Sequence, residues 1–157
     1  MSGEGRPEQH GVDASGMSVG IVVTRWNASV VEPMLANALD VVKASGASAP
    51  AVVEVAGAVE LPVVVQELAR KHDAVIALGA VIRGGTPHFD YVCQSVTHGL
   101  TEVALRHSTP VGNGVLTCDT LEQARDRAGL PGSVENKGAE AALAALDTAV
   151  VLRGLRR

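Results

Sequence analysis

AVIALGAVIRGGTPHFDYV, residues 74–92, is the stretch on which the fold turns. It opens with an apolar run, residues 74–78, that has no polar alternation. Such a run suits a strand covered on both faces, as in a parallel sheet flanked by helices. Two glycines, a threonine and a proline then punctuate the chain. A long helix is expected from about Thr86 or Pro87 to Arg106.

The same succession recurs on either side. Residues 19–23 form a second apolar run. Ser29 and Glu32 have the spacing of a capping box, with Pro33 in the first helical turn. Leu35, Ala38, Leu39 and Val42 follow at helical intervals, and Gly46 ends that helix. Residues 51–55 read as a strand. Gly57-Ala58-Val59-Glu60 turns the chain, and Pro62 opens a helix to about Lys71. Residues 114–117 belong to a fourth strand. Thr120 and Gln123 repeat the capping-box spacing before a short helix carrying Arg125 and Arg127, which Gly129 and Pro131 end. An Ala/Leu helix runs from about Asn136 to the C-terminus. Strands that alternate with helices and read as apolar runs predict a four-stranded parallel sheet between two helical layers, with a flavodoxin-like strand order.

Length and composition bound the possibilities. The 157 residues suffice for one core. No apolar run reaches membrane-spanning length. Residues 1–16 are polar and rich in Gly and Pro, with no apolar core of a secretory signal. They are expected to form a loosely ordered tail ahead of a single domain at 17–157. A formal net charge of −4 gives no electrostatic footprint for nucleic acid. Cys93 and Cys118 are isolated, which fits a reducing cytoplasm and structural roles. Hydrophobic residues make up 46% of the chain and aromatics only 2%, so the core must be built from small aliphatic side chains.

In open α/β sheets ligands bind beyond the carboxyl ends of the strands. The only three aromatics, Trp26, Phe89 and Tyr91, lie in or beside such segments. Trp26 either stacks on a planar ligand or plugs the end of the sheet. Phe89 and Tyr91 are expected to anchor their helix. Gly84, Gly85 and Thr86 at a helix start offer amides and a hydroxyl to an anion; the alternative is an ordinary turn with Thr86 as N-cap. The turn matches neither GxGxxG nor the P-loop, and no lysine follows it, so a single phosphate fits better than a triphosphate. His88, in the first turn, would stand next to that anion, and an imidazole is the side chain suited to proton transfer; the alternative is a polar surface residue. Glu60 either accepts hydrogen bonds from a ligand or caps the helix near Pro62. No metal-ligand spacing appears.

These segments resemble the lumazine synthase family of riboflavin biosynthesis. The resemblance spans roughly residues 17–153. Its carriers are VGIVV (19–23) with Trp26, GAVELP (57–62), LGAVIRGGTPHFDYV (78–92), NGVLT (113–117), QARDRAG (123–129) and NKG (136–138). It implies a transferase that condenses 5-amino-6-(D-ribitylamino)uracil with 3,4-dihydroxy-2-butanone 4-phosphate, with no cofactor or metal. It implies pyrimidine and ribityl contacts from Trp26 (often phenylalanine in the family), Ala58, Val59, Glu60, Ala80, Val81, Ile82 and Asn113. It implies phosphate contacts from Gly85, Thr86 and Arg127, with Lys137 as a further candidate, and His88 as the proton-transfer residue. Asn113 and Arg127 would come from an adjacent subunit. The implied assembly is a homopentamer or a sixty-subunit capsid of twelve pentamers; the pentamer is favoured, because residues 130–135 are about two residues longer than in the capsid-building members. Riboflavin synthase is the implied pathway partner. The rival class is a non-catalytic flavin- or lumazine-binding or capsid-forming homologue. An electron carrier of flavodoxin type fits poorly, because Thr24-Arg25-Trp26-Asn27 is no hydroxyl-rich phosphate loop.

Overall fold

The computed structural model describes residues 4, 5, 8 and 10–157. The elements follow the order β1 (Val19–Thr24), α1 (Ala28–Ala44), β2 (Ala51–Val55), a 3₁₀ turn (Ala58–Glu60), α2 (Leu61–Ala69), β3 (Ala74–Ile82), α3 (His88–His107), β4 (Val111–Cys118), α4 (Leu121–Arg125) and α5 (Lys137–Leu155). All four strands are parallel, in the order β2-β1-β3-β4. The α/β/α arrangement and flavodoxin-like order are as the sequence predicts.

Two cores follow from the alternation of side chains along each strand. Ile21, Ile76 and Leu78 point to one face, where Val31, Met34 and Ala38 of α1 and Ala142, Ala145 and Leu146 of α5 cover them. Val22, Val75 and Ala77 point to the other, under Leu61 and Val65 of α2 and Val96, Leu100 and Val103 of α3. The chain's small residues matter most at the α1–α5 seam. A Cβ on Gly138 would stand 2.3 Å from the Met34 carbonyl oxygen and 2.7 Å from its Cα, so only glycine permits this approach.

Coverage on both faces holds for β1 and for β3 up to Ala80, but not for the sheet's edges. Residues 51–54 of β2 are exposed, with Val52 at 44%. β4 alternates buried and open positions, because α5 covers only one of its faces. Two strands also outrun their apolar runs. β3 continues through Gly79-Ala80-Val81-Ile82, because β4 pairs with it as far as Ile82 and Cys118. β4 begins at Val111, paired with Val75.

Local signals fared unevenly. Ser29 is not an N-cap; it lies inside α1, which starts from Asn27, and Pro33 falls in the second turn. The Thr120 hydroxyl caps α4 by accepting from the Gln123 N–H at 3.2 Å, but the Gln123 side chain accepts from Asp119 and not from Thr120. Asn136 caps α5 by accepting from Ala139 N–H at 3.1 Å. Tyr91 does not anchor its helix. The inward positions of α3 are Phe89, Val92, Val96 and Leu100, and Tyr91, two residues past Phe89, is thrown outward to 68% exposure. The expected tail covers residues outside the described ones. Its described end is packed, however: Ala14 is fully buried and its N–H donates to the Ser45 carbonyl, and Arg153 donates to the Ser15 carbonyl. The ordered unit therefore extends upstream of residue 17. Burial pushes the thiols of Cys93 and Cys118 up, in keeping with structural roles. Among the described residues no helix is long and apolar enough to cross a membrane.

The α1–α5 contact gives a direct check on packing. Gly138→Ala should destabilise the protein by about 1–3 kcal/mol through forced separation of the helices. Gly154→Ala, where a Cβ meets nothing within 4 Å, should change stability by less than about 1 kcal/mol and in the favourable direction. Denaturant unfolding at fixed protein concentration separates the two; equal effects would refute the close-approach account.

Candidate active site

The strand order places one crevice by itself. From β1 the chain crosses to β2 on one side, while β3 and β4 extend the sheet on the other. The loops leaving β1 and β3 therefore diverge and leave a gap between them. A cleft of about 510 Å³ occupies this gap.

Its walls come from three loops. Trp26, after β1, is 71% exposed on one side. It does not plug the sheet, so the packing alternative for it falls. Asn27, next in the chain, explains why Trp26 stands there. Asn27 adopts the left-handed conformation (φ 58°, ψ 45°), which asparagine tolerates better than most residues. Its carbonyl accepts the first amide bonds of α1 from Val30 and Val31. Its side-chain amide donates to the Ala80 carbonyl at 2.9 Å, which fastens the β1 loop to the end of β3. The second wall is Gly57-Ala58-Val59-Glu60. Glu60 Oε2 accepts from the Gly57 N–H at 2.9 Å and closes the 3₁₀ turn, with its carboxylate at the cleft. It caps that turn and makes no side-chain cap to α2. Ala80, Val81 and Ile82 form the floor.

The third wall carries the anion loop. Gly84, Thr86, His88 and Phe89 line the cleft; Gly85 lies in the same loop without lining it. Pro87 is the N-cap of α3 and His88 its first residue. Thr86 is not the N-cap, although its Oγ1 accepts from the His88 N–H at 3.4 Å. A 20-residue helix thus points its N-terminus at the loop, which favours a bound anion there. Phe89, expected to serve packing alone, is half-buried and faces the cleft as well.

Asn113, Arg127 and Lys137 are not part of this cleft. They line a second cavity, about 770 Å³, along β4 and α5. Asn113 Oδ1 accepts from the Val115 N–H at 3.0 Å. Arg127 stands in the turn after α4, not on the helix; its Nη1 donates to the Gln123 carbonyl at 2.9 Å, and its Nε lies 3.7 Å from Glu135. Lys137 is largely buried and paired with Glu140 at 2.7 Å and Glu135 at 3.4 Å, so two carboxylates already offset its charge.

Sequence reasoning gave no role to Asn27 or Arg83. An asparagine between a strand and a helix was the available signal for the first, since left-handed residues gather at such turns. Nothing local signals Arg83, whose partners lie on other elements. Its Nε donates to Asp119 at 2.7 Å, its Nη1 to Asp90 at 3.3 Å, and its guanidinium lies 4.3 Å from the centre of the Phe89 ring. The hydrogen bond it donates to Asp119, followed by the charge of Asp90, holds it more firmly in its cationic form against partial burial. Among the described residues no group of three or more His, Cys, Asp or Glu is placed to hold a metal ion.

Such a fold and cleft define a class: an open parallel α/β protein with a strand-end cleft walled by an exposed indole and a helix N-terminus. Comparison with known proteins narrows the class. The chain belongs to the 6,7-dimethyl-8-ribityllumazine synthase family, whose model matches residues 16–153. It is 73% identical to the 6,7-dimethyl-8-ribityllumazine synthase of Thermobifida fusca over 99% of this chain and 91% of that one. Similarity to the enzymes of the same name from Frankia casuarinae (64%; 99% and 98% of the two chains) and Mycobacterium leprae (62%; 98% and 96%) is nearly as extensive. None of the three is described as a non-catalytic binding or shell protein.

Asn27 tests how the cleft is held open. Asn27→Ala should cost about 2 kcal/mol, from the left-handed backbone and the lost bond to Ala80. Asn27→Gly keeps the backbone and should cost about half as much. Equal losses in chemical denaturation would mean that only one of the two contributions exists.

Proposed function

We propose that the chain condenses 5-amino-6-(D-ribitylamino)uracil with 3,4-dihydroxy-2-butanone 4-phosphate to give 6,7-dimethyl-8-ribityllumazine, with release of phosphate and two waters. The observation that carries this reading is the single cleft that sets exposed Trp26 opposite the Gly84–Thr86 loop and His88. A planar ring stacks on the indole. Backbone edges at Ala80, Val81 and Ile82 hold the pyrimidine, and Ala58, Val59 and Glu60 receive the ribityl chain. Gly85 and Thr86 receive the phosphate at the N-terminus of α3.

The chemistry is proton movement around positioned reactants. The amine adds to the ketone, and water leaves as the imine forms. A proton then comes off the adjacent carbon as phosphate departs. The second amine closes the ring, and a second water leaves. No electrons are gained or lost overall, so no redox partner is required. An imidazole at the rim, beside the phosphate loop, suits proton transfers in both directions near neutral pH. Holding amine and ketone together supplies much of the remaining rate gain.

The phosphate needs a cation, and Arg127 lies on the other face of the chain. In this reading the β4–α5 face of an adjacent copy closes the cleft and brings Arg127 and Asn113, with Lys137 as an outer contributor. Guanidinium and phosphate match as a bidentate pair. The partly open β4 and the exposed β2 edge are surfaces that an assembly would cover. A homopentamer is the assembly proposed, in the cytoplasm, with product passed to riboflavin synthase.

Two variants test the roles. His88→Ala should lose about 10²–10⁴-fold in kcat with the fold intact, as expected of a general acid–base group; a loss of less than tenfold would remove it from that role. Arg127→Ala should weaken binding of the four-carbon phosphate while pyrimidine affinity changes little. Equal weakening of both substrates in steady-state assays would contradict its assignment.

A further inference from the structure

Apart from Phe89, the cluster around Arg83 does not line the cleft, yet it brackets the anion loop. Arg83 is the residue from which that loop departs, and its N–H donates to the Cys118 carbonyl at 2.9 Å as the last rung between β3 and β4. Its side chain turns back over the loop. One nitrogen reaches Asp90 in the first turn of α3, so the pair ties the start of the four-residue connection 84–87 to the helix that follows it. The other reaches Asp119, just beyond β4. The Phe89 ring forms the base of the cluster, beneath the guanidinium. Among the described residues the connection itself has no comparable support. It contains two glycines at which a Cβ would meet nothing within 4 Å, and Thr86 has only a long contact to His88.

We propose that Arg83 is a positioning residue for phosphate: a clasp that fixes the span of the Gly84-Gly85-Thr86 loop, and so the direction of its amides and the Thr86 hydroxyl. It acts through the loop and not as the phosphate's own cation, because two of its three nitrogens, Nε and Nη1, are bonded to carboxylates. The inference rests on the reading of this loop as the phosphate site. The geometry explains why arginine stands here. A planar guanidinium bonds two carboxylates along different edges while lying flat on a ring; a lysine ammonium cannot do all three. It also accounts for the acids. Without Asp90 and Asp119 the guanidinium would lose the two partners that hold it across the loop.

The test is steady-state kinetics on the full-length assembled protein, each substrate varied in turn, with inorganic phosphate as competing probe. Arg83→Gln should raise the KM for the four-carbon phosphate and the inhibition constant of inorganic phosphate together, by about five- to fiftyfold, with the pyrimidine KM within about twofold of wild type. Arg83→Lys should recover only part of this loss. Asp90→Asn and Asp119→Asn keep the arginine and should shift the same two constants in the same direction; they carry the test if Arg83→Gln does not assemble. Equal rises in both KM values, or a change in melting temperature with neither phosphate constant altered, would overturn the clasp. A wild-type enzyme in which inorganic phosphate fails to compete with the four-carbon phosphate would overturn the phosphate reading itself, and the clasp with it.

Discussion

Two adjacent strands, β1 and β3, must be buried on both faces, and most of the structure follows from that. Val19, Ile21, Val22, Val75, Ile76 and Leu78 have no room for water on either side, so helices must lie above and below. Right-handed crossovers then send β2 to one flank and β4 to the other. The loops that leave β1 and β3 cannot follow one another, and the cleft is the gap between them. The Asn27–Ala80 hydrogen bond spans this gap and keeps its two sides in register. A site placed by the sheet's topology stands on the most rigid part of the molecule, while its contacts with ligand come from loops.

The division of charge follows a similar logic. The cleft presents a helix N-terminus and open amides to an anion, with Arg83 turned away towards Asp90 and Asp119. Partial charges of this kind hold a phosphate without binding it so tightly that it cannot leave. Arg127 lies outside the cleft, in the cavity along β4 and α5, beside Glu135 and the Lys137–Glu140 pair. On the proposed reading, a chain arranged in this way completes its phosphate site by meeting a copy of itself, and assembly and catalysis become one requirement.

The layer architecture was legible because the strands are unbroken apolar runs and the helices carry clear caps at Thr120 and Asn136. Errors arose where a residue's partner lies elsewhere in the fold. The apolar run read as β3 stops at Leu78, yet β4 extends the strand through Gly79 to Ile82. Ser29 has the right spacing for a cap, but Asn27 had already started the helix in a conformation that spacing does not reveal. Val52 and Val53 look like core until β2 proves to be an edge. The cleft was legible in the same degree. Trp26, Glu60, Thr86 and His88 could be collected from the strand-end rule alone. The distance of Asn113, Arg127 and Lys137 from them within one chain, and the three-way clasp at Arg83, depend on contacts between elements far apart in sequence.

The central claim is that each active site joins the cleft of one subunit to the β4–α5 face of another. Mixed assemblies test it most directly. His88→Ala and Arg127→Ala subunits are unfolded together in equal amounts, refolded, and assayed at a four-carbon phosphate concentration far below the raised KM of the second variant, where each alone turns over little. In a closed ring with random neighbours, about one quarter of the sites would combine an intact cleft with an intact Arg127, so activity should rise to about one quarter of wild type. Activity that stays at the mean of the two variants would show that the cleft and Arg127 do not work across subunits, and would contradict the account.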